Sequence, residues 1–402
     1  MRKVWFFFFL PIVTASLAMS QSPKPTVKLG LEVFLEELNT TYKAFAPPIK
    51  KSNSRRKKAA NPSPALRFGL ITNHTGIDSK GIPNYERLKA AGVNLTAIFA
   101  PEHGFSGNLE AGAKVKDSTL GTLSIYSLYG KTRKPTPIMM AEIDVLIFDI
   151  FDIGTRTYTY ISTLALAIEA AAEAKKPLLV FDRPNPIAPI PAQGPQLEPE
   201  LRSFVGRVTV PFVHARTVGE IAKVIQQTEF PKAKLTVVPM KGYDKTKFYD
   251  EMGLPFIPPS PNITTLETAL IYPATVLIEG TNISEGRGTL WPFEQIGAPK
   301  LDAAVLKRKL LDSKISGVVI DTVSFTPRVI AGKAESPKYR DTMCTGVRFS
   351  ITDRKAYKPF DLALKLLKAL KSTYPAFSFP DSGKFFDRLA GTKKIREEVI
   401  QE

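Results

Sequence analysis

The chain has 402 residues, 44% of them hydrophobic, which is enough for one large or two ordinary domains with real cores. A formal charge of +17 and a pI near 9.7 point to an anionic partner: nucleic acid, an anionic membrane or an anionic polymer. A single cysteine, Cys344, excludes an internal disulfide, so the fold must rest on its core.

In chain order, Arg2 and Lys3 precede the apolar run "VWFFFFLPIVTASLA", with small residues around Ala18 to Ser20. That layout predicts a secretory signal peptide over residues 1–20 and export to a bacterial periplasm or beyond. The run is too short for a convincing membrane span, and no cysteine near the cleavage site offers a lipid anchor. "VKLGLEVFLEEL" reads as a short amphipathic helix. A basic insertion spans 44–66, with Lys50, Lys51, Arg55, Arg56, Lys57 and Lys58 close together. Flanking prolines and the lack of interleaved aromatics favour a solvated loop over a nucleic-acid patch.

"RFGLITN", "NLTAIFA", "IDVLIFDI", "PLLVFD" and "KLTVVPM" read as buried strands. "YERLKAAG", "YTYISTLALAIEAAAEA" and "TVGEIAKVIQQ" read as helices between them. This alternation predicts a doubly wound α/β sheet from about 67 to 260, within a first domain over 27–262. Beyond it, "TLETALIYPATVLIEGTN" reads as helix then strand, "LDAAVLKRKLLDS" and "FDLALKLLKAL" as helices, and "GVVIDTVSF" and "GVRFSIT" as strands. These predict a smaller α+β domain over 263–402.

In an open α/β sheet, ligands bind outside the carboxyl ends of the strands. Glu102 and His103 in "APEHGFSG", Asp149 and Asp152, Asp182 with Arg183 and Asn185, and Glu279 all follow apolar strand-like runs. Asn73 and His74 follow another. An Asp at a strand end can instead cap the next helix, and a lone His there can be a structural hydrogen-bonding group. No phosphate-binding glycine loop occurs, nor H-E-x-x-H, a cysteine cluster or G-x-S-x-G, so no nucleotide, metal or other cofactor is expected. Carboxylates without a metal or a nucleophilic serine suit glycoside hydrolysis, where one acid protonates the leaving oxygen. Arg156, Arg183 and Arg287, in the same loops, suit a substrate bearing a carboxylate.

The motifs "GLITNHTG", "PEHGF", "IDVLIFDI", "DIGTRTYTYISTL", "DRPNP", "TVGEIA", "SPNITTLETALIYPATVLIEGTNISEGRGT" and "PFEQIGAP" resemble the exo-acting β-N-acetylmuramidases of bacterial peptidoglycan recycling. The resemblance runs from about residue 28 to the C-terminus. It implies a nucleotide-free Rossmann-like domain, a smaller second domain, a cleft between them, and release of terminal non-reducing N-acetylmuramic acid from peptidoglycan-derived saccharides. Phe151, Gln193, Val213, Ala215 and Arg216 depart from the family pattern. On this reading Glu102 is the general acid, oriented by His103 or His74. Glu285 is its partner and Glu279 the fallback. Arg287 and Arg156 contact the lactyl carboxylate, and Tyr158 and Asn282 join the substrate-binding set. The rival reading is an exported wall-binding protein that holds muramyl sugars without turnover. Nothing in the sequence fixes an oligomeric state.

Overall fold

The computed structural model describes residues 27–46 and 65–401. The expected signal peptide and nearly all of the basic insertion lie outside the described residues; at the insertion's start, Lys43–Phe45 form a 3-10 turn.

The larger sheet has seven strands: β1 (Phe68–Ile71), β2 (Leu95–Ala100), β3 (Ser118–Leu120), β4 (Leu123–Ser127), β5 (Val145–Phe148), β6 (Leu178–Phe181) and β7 (Leu235–Val238). Their order is β3-β4-β2-β1-β5-β6-β7, parallel throughout except for the β3–β4 hairpin at one edge. β1, β5 and β6 are buried at every position, as strands covered on both faces must be. The covering helices are α1 (Gly30–Glu36), α2 (Asn84–Ala90), α3 (Pro137–Ala141), α4 (Tyr160–Glu173) and α5 (Val218–Thr228). The predicted doubly wound α/β sheet is thus present. The β3–β4 hairpin was not foreseen, since both strands are short and half exposed at an edge.

The remainder carries α6 (Leu266–Thr275), α7 (Ala303–Asp312), α8 (Pro359–Thr373), α9 (Lys384–Ala390) and α10 (Lys394–Gln401). They accompany a three-stranded antiparallel sheet of β8 (Gln295–Ala298), β9 (Val318–Phe325) and β10 (Cys344–Ile351), ordered β8-β10-β9. One expectation is corrected here. The run "ATVLIE" is not a strand: α6 continues to Thr275 and a 3-10 turn follows over Val276–Gly280. A wholly buried apolar run does not reveal its period, and here packing decides. At Gly280 a Cβ would lie 2.6 Å from the Phe386 Cα, so the turn fits closely against α9.

Candidate active site

A cleft of about 690 Å³ opens between the carboxyl-end loops of the large sheet and loops of the second unit. Glu102 reaches it from the turn after β2 and is only 5% exposed. Its Oε1 accepts a hydrogen bond from the Gly112 amide at 2.9 Å, and its Oε2 accepts one from the Thr159 hydroxyl at 2.5 Å. The turn is tight. His103 has φ +70°, and at Gly107 a Cβ would lie 1.8 Å from the His74 ring, so only glycine fits there.

Neither histidine hydrogen-bonds Glu102. His103 Nδ1 lies 2.7 Å from the Leu109 carbonyl, and His74 Nε2 lies 2.7 Å from the Pro258 carbonyl. A carbonyl can only accept, so Nδ1 of His103 carries a proton. Burial pushes the pKa of both imidazoles down. His103 lines the cleft, whereas His74 supports the Glu102 turn from beneath.

Facing Glu102 is an ionic cluster from the second unit. Arg287 donates to Glu279 Oε1 from Nε at 3.1 Å and Nη2 at 2.7 Å, and its Nε lies 3.4 Å from Glu285. Lys338 Nζ lies 3.1 Å from Glu285 Oε2 and donates to the carbonyls of Ile278, Glu279 and Ile283. Burial would discharge Arg287, but Glu279 and Glu285 outweigh it and hold the guanidinium charged. Burial raises the Glu279 pKa despite the Arg287 charge beside it. Glu285, 4% exposed, keeps Oε2 without a well-aligned hydrogen bond, aimed into a cleft that Tyr158, Tyr272 and Phe293 also line.

Several candidates from the sequence lie elsewhere. Arg156 is fully buried and donates to the carbonyls of Pro195, Val210 and Ala390, so it cannot serve a sugar carboxylate. Asp149 is fully buried, bonded to Arg183 Nε at 2.5 Å and to Asn84 at 2.9 Å. Asp182 takes the capping alternative: it accepts from the Gly219 amide and the Thr217 hydroxyl at the start of α5. Burial raises its pKa to about 6. Asp152 holds Gly154 and His214; Asn185 holds Ile187 and Arg216. Asn73 turns its amide to the Tyr160 hydroxyl, and Asn282 ties down Ala376 and Ser378. These residues shape the walls and do not line the cleft. The family departures behave likewise. Phe151 packs on Tyr249 and Phe256, and Gln193 accepts from the Phe360 amide.

Sequence reasoning missed Tyr129, Arg133, Thr159, Asn262, Lys338 and Arg388, all of which line the cleft. Thr159 was findable, since it lies in the "TRTYTY" motif at the very start of a predicted helix. It also missed a clasp between the two units. Glu110 Oε2 accepts from the Glu335 amide at 2.8 Å, and Asn262 donates to the Lys333 carbonyl at 2.8 Å. Glu110 and Gly112 belong to one turn, so the clasp bears on the loop that holds Glu102.

A doubly wound domain joined to a second unit across a cleft lined by carboxylates and cations defines a class: a two-part glycosidase scaffold. The particular family follows from comparison. The profile "Exo-beta-N-acetylmuramidase NamZ, N-terminal" matches residues 68–267, and "Exo-beta-N-acetylmuramidase NamZ, C-terminal" matches 270–402. The peptidoglycan β-N-acetylmuramidase NamZ of Bacillus subtilis (strain 168) is 40% identical over 414 aligned residues, covering 99% of this chain and 93% of that protein. The chain belongs to the NamZ exo-β-N-acetylmuramidase family. Two crystal structures of DUF1343 family proteins from Bacteroides fragilis NCTC 9343 are similar. One has a TM-score of 0.80 at 33% identity, covering 94% of this chain and 92% of its own. The other has 0.67 at 28%, covering 93% and 90%.

Proposed function

We propose that this chain is a glycoside hydrolase that removes terminal, non-reducing, β-linked N-acetylmuramic acid from peptidoglycan fragments. The observation that carries this reading is the placement of Glu102, from one unit, across a single cleft from the Glu279–Glu285–Arg287–Lys338 cluster of the other. In this reading Glu102 protonates the glycosidic oxygen. Thr159 and the Gly112 amide fix its carboxyl, so little ordering remains to be done at the transition state. Glu285 activates water or stabilises the positive charge that develops on the sugar ring. Arg287 and Lys338 provide the positive charge that a lactyl carboxylate would seek. His103, neutral and pinned to Leu109, sits beside the acid as a neutral wall.

We also propose export. The charged start, the apolar run and the small residues near position 20 support it, as does a polymeric wall substrate. Mass spectrometry of the mature chain should find it cleaved near residue 20.

The activity is tested with 4-nitrophenyl β-N-acetylmuramide and the matching β-N-acetylglucosaminide. Release of nitrophenol from the first in clear preference to the second is the expected result. Saturable binding of the muramide without release would favour the non-catalytic wall binder.

A further inference from the structure

Three cations of the cleft have no counterion among the described residues. Arg133, Lys333 and Arg388 line it, and none makes an ion pair among the described residues. The other charges there are committed: Arg287 and Lys338 to the Glu279–Glu285 pair, Glu102 to Thr159 and Gly112, and Glu110 to the Glu335 amide. The lining carries five lysines and arginines against four glutamates, so positive charge is in surplus there.

Arg133 is held in place without being neutralised. Its guanidinium lies 4.4 Å from the Phe204 ring centroid and 5.0 Å from that of Tyr129, and the two rings are 5.5 Å apart. Such stacking restrains a long side chain at little cost to its hydrogen-bonding edge. The Phe204 loop adjoins Arg388, since a Cβ on Gly206 would lie 3.3 Å from the Arg388 carbonyl oxygen. Tyr129 links this platform to the acid. Burial, then the neighbouring Glu102 charge, push its phenol up to about 12, so the hydroxyl stays protonated between Glu102 and Arg133.

Whatever hangs on the oxygen that Glu102 protonates must lie alongside Tyr129. We infer that Tyr129, Arg133 and Phe204 form a platform for the leaving saccharide, and that Arg133, with Arg388, binds a carboxylate which that saccharide carries. The inference rests on the muramidase reading for the direction of the chain, but its charge argument stands on the rim alone. A neutral aglycone would need the rings but not two guanidinia that make no ion pair among the described residues. In a peptidoglycan fragment the carboxylate is either the lactyl group of the next muramyl residue or the end of its peptide. Both present the planar pair of oxygens that an arginine binds bidentately.

The test uses two measurements on the full chain and on Arg133→Gln and Arg388→Gln. Turnover compares the trisaccharide MurNAc-GlcNAc-MurNAc with the disaccharide MurNAc-GlcNAc. Calorimetry compares three leaving products: GlcNAc-MurNAc, GlcNAc-MurNAc bearing a dipeptide, and neutral diacetylchitobiose. The parent should favour the trisaccharide by about tenfold or more in kcat/KM, and an anionic product over chitobiose by a similar factor. The preference should shrink in both variants and at 0.5 M salt. The product that binds tighter tells lactyl from peptide carboxylate. Equal kcat/KM on the two substrates, or an anionic preference that survives both substitutions, overturns the platform. If neither substrate is cleaved, the muramidase reading fails, and the calorimetry alone then decides the platform. Both arginines are exposed, so these variants should fold, and Arg133→Lys, which keeps charge but loses the planar stack, should recover part of the preference.

Discussion

Replacing Arg156 by Met separates a structural arginine from a substrate-binding one. The sequence places Arg156 among the candidates for the lactyl carboxylate; the structure gives it to the backbone. Its Nη1 donates to Pro195 O at 2.7 Å and Val210 O at 2.9 Å, and its Nη2 to Ala390 O at 2.6 Å. Ala390 ends α9, so the cation also meets the negative end of a helix from the other unit. Gly391 makes room for it: a Cβ there would lie 2.1 Å from Nη2. Burial lowers the guanidinium pKa to about 10, still far above neutrality, so the group is charged and neutralised only by carbonyls. Met fills the apolar stem but leaves three buried carbonyls without donors, at about 1–3 kcal/mol each. Relief of the cation's own desolvation returns part of that, leaving a net loss of about 3 kcal/mol or more. At about 2 °C per kcal/mol, the lower end for large domains, Tm should fall by about 6 °C. Scanning fluorimetry and muramide kinetics below the transition check it: Tm falls while KM holds. A variant with unchanged Tm and a raised KM would refute the reasoning and return Arg156 to the substrate.

Glu102→Gln keeps an acceptor for the Gly112 amide but removes the transferable proton; kcat should fall by about 10²-fold or more with binding retained, and a substrate with a better leaving group should recover part of it. Near-normal kcat on a natural disaccharide would move the acid role to the 279–285 loop. Arg287→Met removes the charge that opposes burial at Glu279, whose pKa already stands above its usual value, so the acid limb of the kcat/KM profile should move to higher pH; an unmoved limb would mean that the cluster does not titrate in the working range. Asp182 has a folded pKa of about 6 against an unfolded value near 3.9. The folded state therefore holds the proton longer, and stability falls by up to about 3 kcal/mol as pH rises from about 4 to 6. Asp182→Asn should flatten that decline in denaturant titrations, and a parallel decline in parent and variant would remove Asp182 as its source. Glu110→Ala should lower kcat by up to about 10²-fold with little change in KM, because it loosens the turn that orients Glu102. Glu110→Gln, which still accepts from the Glu335 amide, should restore it. Failure of that rescue would show that the clasp does not position the acid.

The architecture was legible because covered parallel strands declare themselves as short apolar runs: "FGLI", "VLIF" and "LLVF" are buried at every position. What escaped were elements whose context lies outside the local sequence. The β3–β4 hairpin hangs on one edge. β8 is four residues long, and its strand character comes from pairing with β10. The Val276–Gly280 turn looks like a strand because its apolar content is dictated by α9, far along the chain. Within the site, residue types were readable and depth was not. Glu102, Glu285 and Asp149 all follow apolar runs or glycine loops, yet the first two reach the cleft while the third is sealed in by Arg183 and Asn84.

That sealed pair explains where the cleft had to be. The strand order changes direction between β1 and β5, and a doubly wound sheet ordinarily opens its ligand crevice there. Here the carboxyl end of β5 carries Asp149, and Arg183 from the end of β6 crosses to it and donates onward to the Ile77 carbonyl at 2.8 Å. Asn84 bonds both Asp149 and the Thr72 hydroxyl. The crevice is thus filled by a hydrogen-bonded network of these side chains, in which Asn84 Oδ1 is left without a partner among the described residues. The large cleft lies beside the network, above β2 and α4, where Glu102 and Thr159 meet. That space has one open wall, and the second unit closes it with Glu279, Glu285, Arg287 and Lys338. Neither unit alone therefore holds both the acid and its charged counterpart. The contacts that join them, Arg156 to Ala390 and Glu110 to Glu335, are accordingly as necessary to the site as the groups that line it.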